Sequence, residues 1–351
     1  MPSGTSIAMS KRIQSFFQPV SKKPKVENVE REELTRSNHA TYPFPIADLP
    51  SHISNLLNDH RPQPTQSITN QPDLNLLYFQ PLLPPSIARD LFHFLRAELP
   101  FYRVQYTIRR GGIETQIKTP RFTTVFGVDE TSRFCLPSNP PQSDSPATTQ
   151  LTHELVDTQK QTPVPKTKYM RPPRPIPPCL DALRRVVESV SDGATYNFCL
   201  VNYYASGNDS ITYHSDDERF LGAEPAIASL SLGAKRDFLM KHKPPPTPEK
   251  SQAHDCRPLK FPLASGDMII MRGPTQANWL HSIPKRKAEV GGVGQGRINI
   301  TFRKAIVPGG TDNYYRYNVG DGVVYRWSEE KGEMALVDGE RKHEAESEKG
   351  R

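Results

Sequence analysis

The stretch Arg297-Ile298-Asn299-Ile300-Thr301-Phe302-Arg303 alternates polar and apolar residues without a break. Successive side chains of a strand point to opposite faces, so Arg297, Asn299, Thr301 and Arg303 share one face and Ile298, Ile300 and Phe302 the other. Taken alone, the segment describes either an antiparallel strand with its polar face in water or one wall of a polar cavity. Its arginines lie six residues apart, roughly 20 Å along a strand at ~3.3 Å per residue, so they address different ends of whatever that face lines. Working outward, strands are predicted over 197–204, 226–232, 236–241 and 267–271, between Gly, Pro and Asp turns. Arg103 to Ile108 and Ile113 to Lys118 read as a hairpin turning at Arg109-Arg110-Gly111-Gly112, and a further strand, Arg121 to Phe126, stops at Gly127. Two amphipathic helices precede most of these strands. One opens at Pro84-Pro85-Ser86 and carries Ile87, Leu91 and Leu95; the other carries Leu180, Leu183, Val186, Val187 and Val190. The pattern predicts a mostly β chain with flanking helices, built as a double-sheet sandwich or jelly roll.

The rest of the 351 residues dilutes this core. Proline, at 35 residues, is about twice its usual ~5% share, and 35% hydrophobic residues falls below the ~45–50% of a compact domain. Residues 1–70, rich in Ser, Pro, Asn and Gln, are expected to form a disordered arm. An ordered domain is expected over 71–310, interrupted by a Pro-rich insertion at 137–178 that carries 11 prolines. Residues 311–351 form a C-terminal extension whose charged tail, from about Ser328, is expected to fray. No apolar run approaches the ~20 residues of a membrane span, and the N-terminus has no apolar signal core. Cys135, Cys179, Cys199 and Cys256 are scattered, with no CxxC pair, which suits reduced thiols and argues against a cysteine zinc site. With 45 Lys+Arg against 38 Asp+Glu, the formal charge of +7 permits nucleic acid as a partner.

His214-Ser215-Asp216 places an imidazole and a carboxylate at i and i+2 at a predicted strand end, on one face. His281, between Trp279-Leu280 and Ser282-Ile283-Pro284, is a candidate third ligand. Two histidines and one carboxylate form the facial triad of non-haem Fe(II) oxygenases. An arginine aimed into such a cavity binds a carboxylate through a planar fork that lysine cannot reproduce. Asn202 and Tyr204, again at i and i+2, would add neutral hydrogen bonds.

Together, Asn202-Tyr203-Tyr204, His214-Ser215-Asp216-Asp217-Glu218, His281 and the strand 297–303 resemble the AlkB family of Fe(II)/2-oxoglutarate-dependent nucleic-acid dealkylases. The stretches 225–234, Arg236-Asp237-Phe238 and Pro120 to Gly127 look like the members that repair DNA. The resemblance covers roughly residues 75–305. It implies a double-stranded β-helix (jelly-roll) dioxygenase core, Fe(II) at His214, Asp216 and His281, and 2-oxoglutarate held by Asn202, Tyr204, Arg297, Asn299 and Arg303. Arg297 would take the distal carboxylate and Arg303 the metal end. In the implied reaction dioxygen decarboxylates 2-oxoglutarate to succinate and oxidises the N-methyl carbon of a flipped base, which leaves as formaldehyde. Asp217 and Glu218 match acidic residues that face the base, favouring cationic lesions such as 1-methyladenine and 3-methylcytosine. His214 would stack on one side of the base, with Phe126 or Phe134 as candidates for the other, and Arg121 joins the substrate-facing group. The clusters Arg109-Arg110, Lys235-Arg236, Lys241-His242-Lys243 and Lys285-Arg286-Lys287 are expected to hold phosphates.

Ser10 to Phe17 reads Ser-Lys-Arg-Ile-Gln-Ser-Phe-Phe and resembles a sliding-clamp-binding peptide, with Ile13, Phe16 and Phe17 as the plug and Ser10 where a Gln is usual. Lys11-Arg12 followed by Lys22-Lys23-Pro24-Lys25 fits a bipartite nuclear signal. The expectation is thus a nuclear, monomeric DNA demethylase with Fe(II) and 2-oxoglutarate, no membrane partner, and clamp recruitment through the arm. The rivals are an RNA demethylase and a catalytically silent AlkB-like binding or scaffold module.

Overall fold

A computed structural model describes residues 34–63, 65–135, 153–244, 256–286 and 296–337. The chain enters through two short paired strands, β1 (Arg36–Ser37) and β2 (Ile46–Ala47), and helix α1 (Ser51–Asp59). Strands β3 (Gln66–Ile68) and β4 (Leu76–Phe79) lead to helix α2 (Pro85–Glu98). Proline at its first turn costs no intrahelical bond there. After β5 (Phe101–Tyr102), the hairpin β6 (Gln105–Arg110) and β7 (Ile113–Lys118) stands apart as its own two-stranded sheet, turning at Gly111 and Gly112 alone. β8 (Phe122–Gly127), a second small sheet of β9 (Ser132–Cys135) with β10 (Glu154–Asp157), and helix α3 (Pro178–Glu188) follow. The chain then runs β11 (Phe198–Tyr204), β12 (Ile211–His214), β13 (Ile227–Gly233), β14 (Arg236–His242), β15 (Leu259–Leu263) and β16 (Met268–Met271). A one-turn helix α4 (Thr275–Asn278), β17 (Trp279–Ile283), β18 (Arg297–Arg303), helix α5 (Asp312–Asn318), β19 (Val324–Ser328) and β20 (Glu333–Leu336) complete the described chain.

Two sheets hold the site. A ten-stranded sheet runs β20-β19-β5-β8-β11-β18-β13-β16-β4-β3, and a four-stranded sheet runs β12-β17-β14-β15. Their ladders are antiparallel, and β18 lies between β11 and β13, with Asn202 opposite Asn299 and Ser229 opposite Thr301. Gly233 lets the chain leave the large sheet for the small one: its φ is +87°, and a Cβ there would lie 2.4 Å from the Gly296 carbonyl oxygen.

The period of two divides the core. Ile298, Ile300 and Phe302, with Cys199, Val201, Tyr203, Ala228 and Leu230, face α2 and α3 in one cluster. Burying each of those β18 side chains contributes roughly 1.5–3 kcal/mol. The opposite face of the large sheet, with Leu200, Tyr204, Ile227, Ile269 and Met271, meets Phe238, Met240, Trp279 and Ile283 of the small sheet. Arg297, Asn299, Thr301 and Arg303 fall on that inner face and are buried, so the polar side of β18 lines the interior and not water. The jelly-roll expectation holds.

Three boundaries differ from the sequence reading. Residues 34–63 and 65–70, assigned to the arm, are built into the fold: Ile46, Ile53 and Leu57 are buried in the helix-side cluster. The i, i+4 spacing of Ile53 and Leu57 on α1 is enough, although a composition averaged over seventy residues hides it. Residues 153–178 of the Pro-rich insertion are also placed. The Tyr169 hydroxyl donates to Asp129 Oδ2 at 2.9 Å, and the Arg174 carbonyl accepts from the Gly127 N–H. The extension does not fray at Ser328, because β19 and β20 join the large sheet and Trp327 lies 3.5 Å from the Arg96 guanidinium. The clamp-like motif at Ile13, Phe16 and Phe17, the basic nuclear signal and residues 338–351 lie outside the described residues. Among the described residues no helix is long and apolar enough to cross a membrane.

Candidate active site

His214 ends β12 and His281 sits directly opposite it on β17, with their rings 4.2 Å apart. The two ligands are distant in sequence and adjacent in the sheet. Asp216 lies just past the strand end, so no ladder holds it; its backbone N–H donates to the Gln276 side-chain carbonyl at 2.9 Å, and its Oδ2 accepts from Arg303 Nη2 at 2.9 Å. One ligand atom from each of His214, Asp216 and His281 lies within 4.8 Å of the others, and they form the only such group among the described residues.

The protonation states suit a cation. Burial pushes the Asp216 carboxyl up, but the Arg303 guanidinium and then the two imidazoles outweigh it and hold it down at about 2. Burial, aided by neighbouring His214, lowers His281 to about 3, so its imidazole is neutral and keeps a lone pair. The Thr212 carbonyl lies 2.9 Å from His214 Nδ1, which makes Nδ1 the donor and leaves Nε2 free to ligate.

A cavity of about 280 Å³ opens beside this group. Asn202, Tyr204, Asn299, Thr301, Arg303 and Arg121 line it, together with Leu200, Ile211, Phe238, Met271 and Ile283. Arg121 Nε donates to Asn202 Oδ1 at 2.7 Å, and Asn299 Nδ2 donates to Ser229 Oγ at 2.8 Å, so the amides are held in place. Arg303 Nε and Nη1 are buried without a hydrogen-bond partner. Arg297, 1% exposed, stands behind the cavity wall against Tyr204, with its guanidinium carbon 5.3 Å from the ring centroid. Its Nη2 donates to Ser231 Oγ at 2.9 Å, Nε and Nη1 have no hydrogen bond, and among the described residues no carboxylate pairs with it. Burial lowers it to about 10. The open, buried guanidinium donors of Arg303 on the cavity fit a carboxylate, Arg297 holds a second buried positive charge behind its wall, and the triad fits a divalent metal.

Residues 75–303 match the family pattern of the 2OG-Fe(II) oxygenase superfamily. This chain belongs to that superfamily. Within it, the chain is 41% identical over 135 residues to the human "DNA oxidative demethylase ALKBH2", covering 38% of this chain and 49% of that protein. It is 43% identical over 126 residues to the human "Alpha-ketoglutarate-dependent dioxygenase alkB homolog 3", covering 36% and 42%. The Arabidopsis thaliana "DNA oxidative demethylase ALKBH2" is 35% identical over 142 residues, covering 37% and 43%. The chain thus spans less than half the length of each, and the AlkB-type resemblance read from the motifs is borne out. The superfamily uses Fe(II) and 2-oxoglutarate, and the triad fits the iron.

Not every residue singled out in this oxygenase meets the cavity. Glu218 lines its mouth, whereas Asp217 is 52% exposed and pairs with Lys243 at 3.4 Å. Phe126 is fully buried on the helix side: it is registered opposite Cys199, so its ring shares the face that packs on α2 and α3. Phe134 sits in the β9–β10 sheet and meets the edge of His39 at 5.5 Å, because β10 recruits β9 away from the cavity. Neither ring is available to a base in the cavity. Arg236, expected at a phosphate, is 4% exposed and spends its donors on the Asp209 and Pro284 carbonyls at 2.8 and 2.7 Å. Arg109 pairs with Glu114 within the exposed hairpin, and Lys241 lies 4.2 Å from the Tyr213 ring. Sequence reading passed over Tyr314 and Asn318, which line the cavity from α5; the aromatic run Tyr314-Tyr315-Arg316-Tyr317 in a charged extension was the available signal.

Proposed function

We propose that this oxygenase removes N-methyl groups from bases in nucleic acid, DNA foremost, acting on 1-methyladenine and 3-methylcytosine: one dioxygen oxidises both the methyl carbon and 2-oxoglutarate, with release of formaldehyde, succinate and carbon dioxide. The observation that carries this reading is the convergence of His214, Asp216 and His281 with Arg303 on one cavity whose mouth holds Glu218. Fe(II) held by the triad, with 2-oxoglutarate bound beside it, supplies the oxidation of the methyl carbon. The chain's own residues bind, orient and exclude water. Arg303 keeps Asp216 ionised and turned inward, Asn202 and Tyr204 offer polar contacts to the co-substrate, and Arg297 supplies the buried positive charge for the far carboxylate. Leu200, Ile211, Phe238 and Met271 provide a largely apolar wall. The Glu218 carboxylate at the mouth favours a positively charged ring over a neutral one.

The test is formaldehyde release from methylated DNA and RNA oligonucleotides, with and without Fe(II) and 2-oxoglutarate. Faster release from RNA reverses the preference, and binding without release leaves a silent module. We propose further that the protein works in the nucleus, as a monomer, and meets a sliding clamp through Ile13, Phe16 and Phe17. Removing residues 1–33 is expected to keep turnover on short oligonucleotides and to lose clamp binding; the cut falls before the first buried strands.

A further inference from the structure

Helix α5 begins nine residues after the stretch that matches the superfamily pattern, yet it builds part of the cavity. Its inner side is anchored three ways. Tyr315 donates its hydroxyl to the Gly127 carbonyl at 2.7 Å, the Asn318 carbonyl accepts from Thr123 Oγ1 at 2.7 Å, and Val319 is buried just beyond the helix. This rigid base presents Tyr314, whose ring packs edge-on against Phe198 and Phe220, with centroids 5.2 and 5.5 Å apart, and lies 5.2 Å from the Arg303 guanidinium carbon. From there the Tyr314 hydroxyl donates to Glu218 Oε2 at 2.7 Å. Glu218 stands on an exposed loop, and among the described residues it has no salt bridge. Its neighbour Asp217 turns instead to Lys243.

We infer that Tyr314 is a positioning residue for substrate charge recognition: it fixes the Glu218 carboxylate at the cavity mouth so that a cationic base is selected over a neutral one. The inference rests on the reading that the cavity takes a base. A free glutamate at an exposed mouth samples several rotamers, and a charged ligand must then order it on binding. A hydroxyl carried by a packed ring removes that cost in advance while leaving the second carboxylate oxygen open. The hydroxyl is neutral, so it orients the charge without cancelling it, as a lysine would.

The experiment measures binding of the full chain, without added metal, to two fluorescent single-stranded DNA oligonucleotides that differ only in one base, 3-methylcytosine or neutral 5-methylcytosine. Tyr314→Phe keeps the ring over Arg303 and removes the hydroxyl; it is expected to lower the cationic-over-neutral affinity ratio about threefold to tenfold. Glu218→Asp keeps the charge, leaves α5 untouched and draws the carboxylate back from the hydroxyl, and it is expected to lower the ratio likewise. Glu218→Gln should lower it at least as far, and adding Tyr314→Phe to Glu218→Gln should lower it no further, because the hydroxyl acts only through the carboxylate. An unchanged ratio in Tyr314→Phe and Glu218→Asp, an additive double variant, or tighter cationic binding when the hydroxyl is lost would overturn the role of Tyr314. If the wild-type chain releases formaldehyde and only these ratios fail, the demethylase reading stands without the inference. If it neither discriminates nor turns over, both fall.

Discussion

The metal end of the cavity and its mouth are built by different means. His214 and His281 face each other across a ladder, and Arg303 and Asp216, 3% and 6% exposed at their side chains, form a buried pair. At the mouth, Glu218 and Asp217 stand on one loop, separated only by which neighbour each meets, Tyr314 or Lys243. Where sheets set the geometry, chemistry and stability are coupled, since each group is also a packed part of the interior. Where a loop meets a helix, substrate recognition can change with little cost to the fold. Changes at the two ends should therefore leave different signatures.

The largest effect is expected at Asp216. Asp216→Ala should abolish formaldehyde release, weaken metal binding by at least about a hundredfold, and cost about 3–5 kcal/mol of stability by stranding the buried Arg303. His214→Ala, at a half-buried strand end, should abolish turnover equally while staying within about 1 kcal/mol of wild type. Urea melts beside formaldehyde assays check both, and equal stability of the two variants would remove the coupling claimed for the metal end.

Next is Arg297→Lys, which replaces a buried planar fork by a point charge. The 2-oxoglutarate KM should rise roughly tenfold, about 1.4 kcal/mol, in a co-substrate titration. An unchanged KM would put Arg297 outside co-substrate binding and confine that site to Arg303. At the mouth, Glu218→Gln should lower kcat/KM on cationic lesions about fivefold, about 1 kcal/mol, and spare neutral ones. The smallest effect is expected from Asp217→Asn, less than about twofold on either, because its carboxylate is exposed and already faces Lys243. Equal losses from Asp217 and Glu218 would erase the distinction that the structure draws between them.

The amino-acid sequence by itself determined the strand 297–303 and its two faces, the i, i+2 pairs His214/Asp216 and Asn202/Tyr204, and the family those motifs belong to. These are local: a period of two assigns each residue to a face whatever surrounds the strand. Only the tertiary structure decided which face turns inward and what stands opposite. The ladder of β8 on β11 sends Phe126 to the helices, and the turn into β14 spends Arg236 on backbone carbonyls. The pairing of β12 with β17 brings His281, 67 positions after His214, to within ring contact of it. Nor does local pattern place Tyr314 at Glu218, 96 residues away. Such contacts depend on how whole sheets and helices stack, and that is settled by the summed burial of many side chains, not by any spacing along the chain.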